Sequence, residues 1–382
     1  MRVLFTTTPL VGHILPLMRY AEGLRDAGHE VEFAACEGAR ERVEKRGFTL
    51  WPVPDPSEED AKRAWAMLDA ATAEDALQVG IEEVFGGIKS RAALAGVRAA
   101  VSEWGPDLIV RESCEFAGLI AGEEADVPTA CISILSTASM ERHEVNFRTA
   151  TEALRCHAGR SRDWPVGAEP VFCDFPAALD EVDLIHGAQP TRVAPCGPAQ
   201  TDTDGSETWL PSGDRPLLYV TFGTVSGRSE RAQATYRLAL EVVAGLPVDA
   251  LLTIGPIMDP TLLGTVPENV SVETFVPQTD VFSQAKAVVH HGGSGTLVGA
   301  LAAGLPQVVI PLFADQPDNA MSVERAGVGV AVLDREAHVL RAAIERVLDD
   351  AALEQRAARL AEEMAAMLPM PEAVARMEQL AG

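Results

Sequence analysis

Basic residues are scarce in this sequence. Against 56 Asp and Glu there are 31 Lys and Arg, a net charge of −25, and a surface of that sign repels phosphate backbones and anionic lipid headgroups. Nucleic acid and membrane are therefore not expected as partners. Long apolar runs are also missing. None approaches the roughly 18 residues of a membrane helix, and Met1 to Leu10 falls far short of a signal-peptide core, so a cytoplasmic location is expected. The six cysteines, Cys36, Cys114, Cys131, Cys156, Cys173 and Cys196, show no C-x-x-C spacing, and several sit in apolar runs where a thiol packs as a small hydrophobe. That disfavours disulfides and zinc, and no metal site is expected. What remains is ample for folding. At about 100 to 200 residues per domain, 382 residues predict two domains, and 47% hydrophobic content gives each a core.

The pattern along the chain is α/β. RVLFTTT is followed by a helical stretch from Ile14 to Ala27 closed by Gly28, then by VEFAAC and a second helical stretch ending at Gly47. These strands are apolar without alternation, the texture of a parallel sheet covered on both faces, and DLIV (107–110) and TACISI (129–134) repeat it. Residues 57–103 read as helical. A Pro-, Gly-, Ser- and Asp-rich stretch then separates this half from a second series, PLLYVTFG, VDALLTI, VSVETF, KAVVHH and QVVIP, alternating with helices. The fold expected is two doubly wound Rossmann-like domains facing a central cleft: residues 1–198, a linker at 199–214, residues 215–367, and a C-terminal helix at 368–382 packing back towards the first domain. Ligands of such sheets bind at the carboxyl ends of the strands.

Several chemistries fail on spacing. GGSGTLV lacks the last glycine of G-x-G-x-x-G, Gly-Lys-Ser/Thr does not occur, and Thr296 stands where G-x-S-x-G needs glycine. His29-Glu30 and His143-Glu144 lack the second histidine of a zinc protease. Asp202-Thr203-Asp204 has the form of a metal-holding pair, but beside Gly205 it reads as a solvated turn.

Residues 275–320 carry the positive signal. There a strand ends in His291, a glycine-rich turn follows, and a helix begins near Ser294 to Thr296, so free N–H groups and a positive helix end converge on one point. That is an anion site, with Gly292, Gly293 and Gly295 permitting close approach and His291 and Thr296 able to donate. Taken singly, His291 could be a strand-end cap, Asp315 a helix cap and Phe275 core filler; it is their clustering at strand ends that points to a site. In order, F-V-P-Q, HHGGSGT and ADQPDNA resemble the nucleotide-sugar signature of family 1 glycosyltransferases of GT-B fold, particularly bacterial enzymes that glycosylate natural products. The resemblance implies a nucleoside-diphosphate sugar as donor substrate and no further cofactor. Phe275 and Val276 would border the base, with Gln278 nearby. His291, Gly293, Ser294, Gly295 and Thr296 would hold the diphosphate together with Gly223 and Thr224 of TFGT, and Asp315 and Gln316 would bind the sugar. Plant members have a ribose-binding glutamate where this chain has Gly299, so a dTDP-sugar is preferred over a UDP-sugar.

GHILP, after the first strand, resembles the family's G-H-x-x-P, whose histidine is the general base. That makes His13 the candidate to deprotonate an acceptor, imidazole being the side chain that exchanges protons near neutral pH. Glu112, in Arg111-Glu112-Ser113, falls where the family has an aspartate to orient the histidine; a salt bridge to Arg111 is its other account, and Glu115 and Asp107 are reserves. Trp65, Met67, Phe85, Met140 and Phe147 are candidates to line an acceptor pocket, although a helical apolar stripe also serves a core. The function expected is inverting, metal-independent transfer of a deoxysugar to a hydrophobic natural-product aglycone. The competing readings are a nucleotide-sugar epimerase of the same fold and a non-catalytic auxiliary protein. A homodimer stays open.

Overall fold

The structure is a computed structural model and describes residues 1–72, 75–161, 169–179, 189–195, 215–224 and 226–382. The expected linker at 199–214, Asp202-Thr203-Asp204 and Cys196 lie outside these residues. The chain divides into two compact units, Met1–Ala194 with Met367–Gly382, and Pro195–Ala366.

The first unit holds a seven-stranded parallel sheet of strands β1 (Arg2–Thr6), β2 (Glu30–Cys36), β3 (Thr49–Val53), β4 (Leu108–Glu112), β5 (Thr129–Ile132), β6 (Val171–Cys173) and β7 (Thr191–Arg192). Their order is β3-β2-β1-β4-β5-β6-β7. Val3, Phe5, Phe33, Leu108 and Val110 pack on one face with the helix Val11–Asp26, and Leu4, Ala34, Ile109 and Cys131 pack on the other with Leu94, Val97 and Ile120. Covering on both faces is why the strands read as continuous apolar runs. The helix Met370–Glu378 lies against Val11–Asp26, close enough that a Cβ on Gly23 would come 2.7 Å from Met370 Cγ, and Glu378 accepts from His29 Nε2 at 2.8 Å.

The second unit has six parallel strands, β8 (Leu217–Thr221), β9 (Asp249–Thr253), β10 (Val270–Glu273), β11 (Ala285–His290), β12 (Gln307–Val309) and β13 (Gly329–Ala331), in the order β10-β9-β8-β11-β12-β13. Each order reverses once, at the β1/β4 pair and at the β8/β11 pair. Loops leaving the carboxyl ends there diverge to opposite faces and open a crevice. His13 and Glu112 follow β1 and end β4; Gly223 and His291 follow β8 and β11. Among the described residues no helix is long and apolar enough to cross a membrane.

Candidate active site

In the first unit the chain leaves β1 through Thr7 to Leu10 and enters the helix at Val11. Leu10, in extended conformation, caps it, and the Leu10 carbonyl accepts from the N–H groups of His13 and Ile14 at 2.9 and 3.0 Å. The helix thus starts three residues before the expected Ile14, and His13 sits inside its first turn. Its Nδ1 lies 2.8 Å from Oε1 of Glu112. Glu112 is fully buried, and its other oxygen accepts from the N–H of Cys114. With both oxygens held, the carboxylate cannot turn away from the imidazole. The extra methylene relative to aspartate is taken up by this second anchor.

Arg111 makes no salt bridge with Glu112. It pairs with Glu169, and its Nη1 donates to the carbonyls of Glu112, Ser113 and Glu115, which fixes the turn that carries the carboxylate. The two reserves are engaged elsewhere. Glu115 accepts from Thr6 Oγ1 and from the N–H groups of Ala117 and Gly118, capping a helix start, and Asp107 accepts from the Arg2 N–H at the opposite end of the sheet.

In the second unit β11 ends at His290, not at His291. His290 is fully buried; its Nδ1 accepts from the Gly292 N–H at 3.1 Å and its Nε2 meets Gln307 Oε1 at 2.7 Å. Burial holds its pKa down at about 4, so it pins the loop as a neutral ring. Gly292 then turns the chain at φ +89. His291 lies in a slot between two glycines, where a Cβ on Gly223 or Gly293 would come 2.8 or 2.4 Å from its Nε2. Burial, with His290 beside it, lowers its pKa to about 3, and its buried Nδ1 has no partner among the described residues. The helix Ser294–Ala302 begins next, with Gly293 at its cap position and no side-chain cap, so the N–H groups of Ser294, Gly295 and Thr296 are left for a ligand or water.

Asp315, Gln316 and Ser294 also converge. Ser294 Oγ and Asn319 Nδ2 donate to Asp315 Oδ2 at 3.0 and 2.8 Å. Asn319 also donates to the Gly292 carbonyl, tying the two loops together. Gln316 Oε1 accepts from the N–H groups of Leu312 and Phe313. The preceding Ala314 has φ +56, a left-handed conformation costly to a residue with a Cβ, and it turns the chain into the helix Gln316–Arg325. Gln278 donates to Thr296 Oγ1 at 3.0 Å. Val276 is buried, Phe275 is 66% exposed, and Thr224 is half-buried. Gly299 cannot carry a side chain cheaply: a Cβ there would be 2.7 Å from Cε2 of Phe282.

Of the five acceptor candidates, Phe85 packs on His13, with ring centroids 4.9 Å apart. Met140 and Phe147 must be corrected. They are 2% and 5% exposed and lie in the core, Phe147 beside Phe116 and Met140 accepting from Ser133 Oγ. Trp65 is 48% exposed and Met67 half-buried, both on the helix Glu58–Ala70. His290, Gln307, Asn319 and the Cys114 N–H join the site without having stood out in the sequence. For the first, a doubled histidine at a strand end was the available signal, since alternate strand residues face opposite ways and only one of the two can meet the ligand.

Comparison with known proteins bears on the whole chain. A family profile described as Erythromycin biosynthesis protein CIII-like, C-terminal domain, matches residues 238–380. L-demethylnoviosyl transferase of Streptomyces niveus is 30% identical, over 98% of this chain and 97% of that protein. Elloramycin glycosyltransferase ElmGT of Streptomyces olivaceus is 31% identical, over 98% and 96%. Among solved structures, the Streptomyces sp. SF2575 glycosyltransferase SsfS6 complexed with thymidine diphosphate is similar with a TM-score of 0.78 and 25% identity, over 99% of each chain. Likeness at this level along the full length, on two parallel-sheet Rossmann-like units, makes the chain a member of the bacterial natural-product glycosyltransferases of family 1, with the GT-B fold.

Proposed function

We propose that the protein transfers a deoxysugar from a dTDP-sugar to a hydrophobic natural-product acceptor, with inversion and without a metal, in the cytoplasm. The observation that carries the reading is the contact of His13 Nδ1 with the buried carboxylate of Glu112. Glu112 accepts a hydrogen bond from Nδ1–H, which leaves the lone pair on Nε2 and makes that nitrogen the base. Nε2 takes the acceptor's hydroxyl proton as the acceptor oxygen bonds to the anomeric carbon. In the same displacement the bond from that carbon to the β-phosphate oxygen breaks and the nucleoside diphosphate leaves. One displacement inverts the carbon. Imidazolium formed on His13 is stabilised by the Glu112 charge.

Charge growing on the leaving phosphate is met by the N–H groups of Ser294, Gly295 and Thr296, by the helix end, by the amides of Gly223 and Thr224, and by His291 as a neutral donor. Asp315 and Gln316 are assigned to the sugar hydroxyls, and Phe275, Val276 and Gln278 to the side of the base. The dTDP preference is supported by Gly299, where Phe282 leaves no room for a ribose-binding carboxylate, and by the thymidine diphosphate of the SsfS6 complex. Thermal shifts with dTDP, UDP, GDP and ADP, each with and without EDTA, test the donor half. At 100 times its Kd a ligand that binds only the folded chain adds about 2.7 kcal/mol. A shift ranked dTDP above UDP and indifferent to EDTA is expected; no shift with any nucleotide overturns the reading.

A further inference from the structure

Lys89 closes the wide-turned helix Gly80–Lys89, and its Nζ lies 5.0 Å from the centre of the Phe85 ring. His13 packs on that same ring, so an ammonium and the imidazole flank one aromatic surface. Lys89 is half-buried, and among the described residues it has neither an ion pair nor a hydrogen-bond acceptor. The ionisable groups in its field are Cys36, Glu112, Asp55 and Cys114. Neither carboxylate forms an ion pair with it among the described residues. Glu112 holds His13 and the Cys114 N–H, and Asp55 is exposed to solvent. Burial pushes the pKa of Lys89 down from the ordinary lysine value, and the nearby acids and thiols work against that.

A partly desolvated cation without an acceptor costs free energy that a leucine or methionine on the same helix face would not. An anionic group on a ligand removes that cost. We propose that Lys89 is a specificity residue of the acceptor site, pairing with an ionised acidic oxygen, phenolate or carboxylate, on an aromatic acceptor that lies beside Phe85 and His13. This rests on the transferase reading above and narrows it: the acceptor is hydrophobic but carries an acid.

The test uses the full chain and two probes, 7-hydroxycoumarin, which ionises near neutral pH, and its methyl ether 7-methoxycoumarin, which cannot ionise. Wild type is expected to bind the phenol about tenfold or more tightly than the ether and to enhance the phenolate absorption band of the bound probe. Lys89→Met should erase both effects and Lys89→Arg should keep them; Lys89→Gln replaces the Met variant if that one does not fold. Equal affinity for the two probes in wild type, failure of both to bind, or a preference that survives Lys89→Met overturns the proposal. A dTDP thermal shift on the same samples reports folding and separates the two readings. Its absence in wild type contradicts the donor assignment, whereas the coumarin comparison speaks only to Lys89.

Discussion

The ring of Phe282 occupies the space into which a side chain at position 299 would grow, with Cε2 only 2.7 Å from the place of a Cβ. Phe282 is buried and packs edge-on against Tyr219 at 5.9 Å, so it has nowhere to yield. Gly299→Glu is therefore expected to overpack the unit and cost about 1 to 3 kcal/mol, lowering Tm without tightening UDP. Combining it with Phe282→Ala should restore room and improve UDP relative to dTDP. Melting curves and nucleotide titrations of the two variants check this; tighter UDP binding in the single variant would contradict it.

Glu112 has a partner on each oxygen, so its replacements separate charge from shape. Glu112→Gln keeps the volume and loses the charge that fixes the Nδ1–H tautomer of His13. A fall in kcat of about 100-fold or more is expected, with the donor KM unchanged. Glu112→Asp should also lose activity, because a shorter side chain held by the Cys114 N–H cannot reach His13. Steady-state kinetics at saturating donor decide it, and wild-type kcat in the Gln variant would remove Glu112 from the mechanism.

Stability should fall as the pH drops from about 6.5 towards 4. In the folded chain His290 and His291 are held down at about 4 and about 3, whereas unfolded imidazoles return to about 6.5. Between those values the unfolded chain binds more protons, so stability rises with pH through this window and is fully present above it. Each such proton is worth at most about 1.4 kcal/mol per pH unit. Asp315, whose pKa burial raises, works in the opposite direction. His290→Asn is expected to flatten the dependence of Tm on pH between 6.5 and 4; an unaltered slope would contradict the assignment.

Met140 and Phe147 should matter for stability and not for acceptor choice. Phe147→Ala is expected to cost about 3 to 5 kcal/mol with little change in acceptor KM per folded molecule. Phe85→Ala, at the ring that touches His13, should raise acceptor KM. Denaturant unfolding alongside kinetics tests the pair.

The two-sheet architecture was legible because parallel strands covered on both faces must be apolar throughout, and RVLFT and LLYVT are. The glycine-rich turn after β11 was legible for a similar reason: only glycines leave the His291 ring its slot. What could not be read was direction. Met140 and Phe147 follow the same helical spacing whether they face a core or a pocket, and their burial in the folded chain decides. Nor does sequence reveal contacts between residues far apart in the chain, such as Asn319 with the Gly292 carbonyl or Arg111 with Glu169.

The most direct measurement is sugar transfer by His13→Ala, with the dTDP thermal shift recorded on the same preparation. Transfer is expected to fall by at least about 100-fold while the dTDP shift stays at its wild-type value, because the groups proposed to hold the donor belong to a different sheet. Transfer at the wild-type rate would contradict His13 as the base, and with it the mechanism.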